Sequence, residues 1–161
     1  MTLSNADQDI DDLVQKHGWT KLHARGTAGD PNSKIVFTTT VNLDEAHGLP
    51  ELIIFGLEED VMDAVIAGII AQREAGFIWT GAPVQFDKIL QDHPIELRAV
   101  HQEPLNILFE RNIAYRKATG RPALTEAVQV FWPGKDGKFP WDEGHIDSFF
   151  DQPRLDIPRQ A

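Results

Sequence analysis

The run Glu51-Leu-Ile-Ile-Phe-Gly-Leu57 constrains the fold more than any other segment. Its apolar residues are consecutive, so a strand here is apolar on both faces and needs cover on both sides. That predicts a place in the middle of a sheet. The acids Glu58, Glu59 and Asp60 follow at once and suit the positive end of a helix. Val61, Met62, Val65, Ile66, Ile69 and Ile70 then recur at helical spacing, a face broad enough to lie against that sheet. Gly76 is the expected end of this helix.

Other elements group around this pair. A first helix is expected from a Ser4 or Asn5 cap to Gly18, with Ile10, Leu13, Val14 and His17 on one face. Trp19 to Arg25 alternates, which turns Leu22 and Ala24 inward and Lys21, His23 and Arg25 to solvent. Gly26 to Ser33 reads as a turn-rich loop, Ile35 to Leu43 as a strand, and Asp44 to Pro50 as a loop. Phe77 to Thr80, Val84 to Ile89 and Ile95 to His101 read as further strands. Pro104 suits the first turn of a helix running to about Ala118. Ala127 to Trp132 is a strand leading to a hairpin turn at Asp136-Gly137. From about Gly144 the periodicity stops, so residues 144–161 are expected to form an irregular tail. The prediction is a single α+β domain over residues 1–161. Its sheet is mixed or largely antiparallel, with about six strands and three flanking helices.

Composition narrows the function. The chain has 161 residues and no cysteine, which removes disulfides, thiolate metal sites and cysteine nucleophiles. Its 25 acids against 15 bases give a formal charge of −10, a field that repels a phosphate backbone. The basic grouping Arg111/Arg116/Lys117/Arg121 reads as a solvated face, and no nucleic-acid partner is expected. Met1 to Asp12 lacks the order of a signal peptide, and Val61 to Ala71 is too short to span a bilayer. A cytoplasmic protein with no membrane partner is the expectation.

No dinucleotide fingerprint, phosphate loop or Gly-x-Ser-x-Gly elbow is present, so the cofactor stays unknown. His17 suits a helix C-terminus, His101 the edge of the core, and His145 an acidic neighbourhood without ligand spacing. His47 differs, because it lies in the 42–51 loop at a strand end, where scaffolds present reactive groups. An imidazole beside carboxylates can serve acid–base chemistry, which makes His47 and Glu51 the catalytic candidates. The bland alternative is a polar connector. No His-x-x-x-His pair occurs, and no metal site is predicted.

A second feature is Trp132-Pro-Gly-Lys-Asp-Gly-Lys-Phe-Pro-Trp141. Two tryptophans bracketing a turn can pin it to the core, or can form an aromatic wall with Lys135 or Lys138 meeting an anion. Trp132, Lys135, Lys138 and Trp141 are therefore ligand-binding candidates, together with Asn42 at the entrance to the 42–51 loop.

The stretch Gln129-Val-Phe-Trp-Pro-Gly-Lys-Asp-Gly-Lys-Phe-Pro-Trp-Asp142 resembles the C-terminal signature of an uncharacterised bacterial family, domain of unknown function 4262. Phe37-Thr-Thr-Thr-Val-Asn-Leu43 and Leu49-Pro-Glu-Leu-Ile-Ile-Phe-Gly-Leu57 are similar to its other landmark, Thr-Val-Gly-Leu followed by His-Pro-Glu-Leu. The resemblance covers roughly residues 10 to 155. Asn42 stands where glycine is usual, and Leu49 where histidine is usual. If that histidine works in the family, this chain uses His47 instead or has lost the activity. The resemblance implies one coherent domain and brings no reaction, cofactor or partner.

Two function classes stay open. One is a small-molecule enzyme or binding domain whose pocket lies between the 42–51 loop and the 132–141 hairpin. The other is a non-catalytic interaction module, such as a homodimer, with the aromatics at its interface.

Overall fold

The computed structural model describes residues 2–25, 36–134, 136–145 and 152–158. The chain runs α1 (Asn5–His17), β1 (Thr20–Arg25), β2 (Val36–Val41), α2 (Leu43–His47), β3 (Glu51–Phe55) and α3 (Glu59–Glu74). It continues through β4 (Val84–Leu90), β5 (His93–Ala99), α4 (Gln102–Leu108), α5 (Glu110–Thr119) and β6 (Ala127–Phe131).

The six strands form one sheet in the order β1-β2-β3-β6-β5-β4. β3 and β6 are parallel at its centre, and every other pair is antiparallel, so the sheet is mixed. The apolar run is central, as expected, and every residue of β3 is buried. Leu52, Ile54, Val128 and Val130 pack with Met62, Val65, Ile66 and Ile69 of α3. Ile53, Phe55 and Ala127 pack with Leu105 and Phe109 of the α4–α5 layer on the other face. Each of the larger side chains contributes about 1.5–3 kcal/mol by leaving water, which is why consecutive apolar residues settle here.

On that second face α1 lies over β2 through Ile10, Val14 and Val41, with the buried Tyr115 of α5 beside them. Ser4 Oγ accepts from Asp7 N at 3.1 Å and caps the helix, while Gly18 ends it at φ +86°. α3 approaches β4 at Gly68, where a Cβ would come within 2.7 Å of Ile89 Cγ2.

The structure corrects several expectations. Among the described residues there are five helices rather than three. The 44–50 loop contains the single-turn helix α2, and the helix expected from Pro104 is divided at the buried Phe109. Phe77 to Thr80 is not a strand, because β4 is already the edge and no neighbour pairs with this segment. The β4–β5 hairpin turns at Gln91-Asp92, with Asp92 at φ +65°, and His93 and Pro94 belong to β5. No strand follows Asp136-Gly137 among the described residues. The tail is irregular where described, yet it is tied down. Leu155 N donates to Gln129 Oε1 at 3.0 Å, and His101 N donates to Leu155 O at 2.8 Å. The Gly26–Ser33 loop and Ile35 lie outside the described residues. No helix among the described residues is long and apolar enough to cross a membrane.

Candidate functional site

Glu51 is the one charged residue in β3, and its side chain is fully buried. A charge in such a place needs partners, and five donors surround it. Asn42 N and Leu43 N each donate at 2.8 Å, Thr40 Oγ1 at 3.0 Å and Arg116 Nη2 at 3.1 Å, and Asn112 Nδ2 also donates. Burial is the largest influence on the carboxyl and pushes it above its usual range. The bonds from Asn112, Leu43 and Asn42 and the Arg116 charge pull the other way. Every neighbour presents a donor, so the cluster suits an ionised carboxyl. With its lone pairs occupied, Glu51 has the geometry of a positioning group rather than of a general base.

Arg116 links Glu51 to Asp44. Its Nη2 and Nη1 donate to the two Asp44 oxygens at 2.8 and 3.2 Å, and its Nε donates to Asn112 Oδ1 at 2.7 Å. Burial opposes the Asp44 charge, but the bond and charge of Arg116 outweigh it and hold the carboxyl below its usual range. Burial likewise opposes the Arg116 charge, and Asp44 and Glu51 outweigh it, so the guanidinium is held more firmly protonated. Arg116 is only 3% exposed, which overturns its reading as part of a solvated basic face. Asn112 and Arg116 are one helical turn apart, which lets both reach the isolated acid of β3, but that spacing alone does not set them apart from a solvated face.

This cluster forms one wall of a cavity of about 310 Å³. Leu49, Pro50, Ile78, Trp79 and Leu124 supply apolar surface, and Asp44, Arg116 and Glu126 supply polar groups. Trp79 Nε1 donates to Glu126 Oε1, fixing the indole at the rim. Asp44, Asn112, Arg116, Trp79 and Glu126 were not among the sequence-derived candidates. Arg73 lies against Gly48, whose Cβ would meet its Nη2 at 3.2 Å, and its buried Nε has no partner among the described residues.

The other candidates fall as follows. His47 is the last residue of α2 and meets the Trp19 ring edge-on at 6.3 Å between centroids. Asn42 is buried at φ +69°, and its Nδ2 donates to Gly18 O at 2.9 Å. Trp132 Nε1 donates to Phe55 O at 2.7 Å. Trp141 stacks on Phe139 at 4.9 Å and lies under the Arg98 guanidinium at 3.6 Å. Lys138 N donates to Asp136 Oδ1 at 3.1 Å, whereas Lys135 lies outside the described residues. Because β3 and β6 are parallel, Glu51 begins one of them and Trp132 follows the end of the other. The 42–51 and 132–141 segments thus sit at opposite ends of the central strands. The cavity beside Glu51 is lined by the first and not by the second.

A family model described as "Domain of unknown function (DUF4262)" matches residues 13–145. No curated protein and no solved structure matches the chain.

Proposed function

The chain belongs to the domain of unknown function family DUF4262, and from that premise we propose that it is a small-molecule-binding domain. Its ligand enters the cavity beside Glu51 and carries an amine or another small cation. One observation carries this reading: the carboxylates that a ligand in the cavity can reach are Asp44 and Glu126, while the Arg116 guanidinium in its wall is already paired with the fully buried Glu51. Counting Arg73 as well, the balance is still negative. Glu51 and Arg116 hold the wall rigid, which leaves the exposed Glu126 and the half-exposed Asp44 to meet the ligand. The Trp79 indole offers a face that favours a cation further. A volume of about 310 Å³ sits at the small end of the usual range for ligand pockets.

The interaction-module reading has less behind it. Among the described residues the exposed large apolar side chains are Leu13 on α1, Ile78 on the segment between α3 and β4, and Ile107 on α4, which is little apolar surface for an interface.

The test is titration with small alkylamines and arylamines, and with their carboxylate and alcohol analogues, followed by backbone amide shifts and tryptophan emission. Amines should shift residues 44–51 and 78–79, and Glu126→Gln should weaken them about tenfold. Equal response to all three classes, or amine binding unaltered by Glu126→Gln, would overturn the reading.

A further inference from the structure

We propose that His23, Glu59 and Asp63 bind one divalent transition-metal ion. The site is separate from the cavity beside Glu51 and shares no lining residue with it. Strand β1 turns His23 outward, as expected, and the residue is exposed. Its ring lies beside α3, with Nε2 3.1 Å from Glu59 Oε1 and 3.5 Å from Asp63 Oδ1. One ligand atom from each residue lies within 4.8 Å of the others. An ion held at about 2.0–2.2 Å by nitrogen and oxygen separates neighbouring donors by roughly 3.3–3.6 Å in tetrahedral geometry, close to the two distances from His23 Nε2. Glu59 and Asp63 are one turn apart on α3 and so present their carboxylates on one side.

Three further features fit a metal better than a bare ion pair. His23 Nδ1 lies 2.6 Å from Thr38 Oγ1, and Thr38 is fully buried. If Nδ1–H donates to that hydroxyl, the Nε2 lone pair points to the carboxylates, the support that metal-binding imidazoles usually have. Asp63 Oδ1 is shielded from solvent and accepts no hydrogen bond among the described residues. Its other oxygen is held by Lys21 Nζ at 2.9 Å, which fixes the carboxylate while Oδ1 stays available. Finally, His23 and Glu59 also line a cavity of about 490 Å³ whose walls include Phe37, Leu57 and Met62. Coordination positions left free by the protein would open into it, so water or an oxygen donor of a small molecule can complete the shell. One imidazole with two carboxylates suits zinc or manganese better than calcium or copper(I).

The experiment uses the full chain after chelator treatment. Zinc uptake is followed by calorimetry, and manganese by electron paramagnetic resonance and by broadening of histidine ring signals. One ion per chain is expected, with the His23 ring broadened before any other histidine. Glu59→Gln, at a side chain 68% exposed and so safe for folding, should weaken binding about tenfold or more. His23→Gln should do the same. No stoichiometric uptake, uptake indifferent to Glu59→Gln, or broadening centred on His145 or His47 would each overturn the proposal.

Discussion

The Glu51 carboxylate accepts the backbone N–H of Asn42 at 2.8 Å, so the first residue of β3 holds the turn that ends β2. It also accepts Leu43 N, the first residue of α2. A buried acid therefore takes up two backbone donors that the left-handed turn at Asn42 would otherwise leave unpaired.

Removing one partner of the Glu51–Arg116 pair leaves the other charge buried and uncompensated. Glu51→Gln is expected to cost about 3–5 kcal/mol in urea unfolding, and Arg116→Met a similar amount. The double variant should be less unstable than the sum of the two, since neither charge then remains. Strict additivity would mean that the two side chains are not energetically coupled.

Asn42 stands at φ +69°, where a side chain costs roughly 1–2 kcal/mol relative to glycine. Asn42→Ala keeps that strain and loses the bond to Gly18 O, and should destabilise by about 2 kcal/mol. Asn42→Gly loses the bond but relieves the strain, and should stay within about 1 kcal/mol of the parent chain. Denaturant midpoints at matched slopes check the ordering.

The central strand and the α3 face were legible because a double-sided apolar run has few other places to go. Leu52 and Ile53 point to opposite layers, and both layers exist. Asn42, standing where the resemblance implies glycine, adopts the left-handed conformation that asparagine tolerates better than most residues. Arg116 was not legible. Its neighbours Arg111, Lys117 and Arg121 make an ordinary basic face, and nothing local says that one member turns inward to an acid on a distant strand. The Glu59–Asp63 spacing could be read from the helix, but His23 joins it only through the packing of β1 beside α3. The two tryptophans misled for a related reason. Trp132 and Trp141 are close in sequence to each other, whereas strand direction decides how far they lie from residue 51.

Gly68 should resist substitution although it lies inside a helix. Alanine gains about 1 kcal/mol of helix propensity there, but its Cβ would sit 2.7 Å from Ile89 Cγ2. That methyl branches close to the backbone of β4, so the strand itself must move, at about 1–3 kcal/mol. Gly68→Ala is expected to lower the unfolding midpoint in the parent chain. In an Ile89→Ala background the clash is gone, and the same substitution should raise it. A fall in both backgrounds would show that crowding against β4 is not the reason for the glycine.

Asp156 gives the tail a pH-dependent attachment. Burial raises its carboxyl, but the bond and charge of Arg154 and the bond from Arg98 outweigh it, so the folded value lies below the ordinary 3.8. A carboxyl lowered in the folded state contributes stability that is present above its unfolded value and is lost as pH falls through its folded value. Asp156→Asn should therefore be less stable than the parent chain at pH 7. The gap should persist down to about pH 4 and close as the pH drops further. Arg98 also covers the Trp141 ring at 3.6 Å, so tryptophan emission offers a local readout of the same event. In the parent chain the emission should change in acid together with the loss of the Asp156 contribution, and in Asp156→Asn it should already differ at pH 7. A stability gap constant from pH 7 to pH 2 would mean that the Arg98–Asp156–Arg154 contacts do not hold the tail through charge.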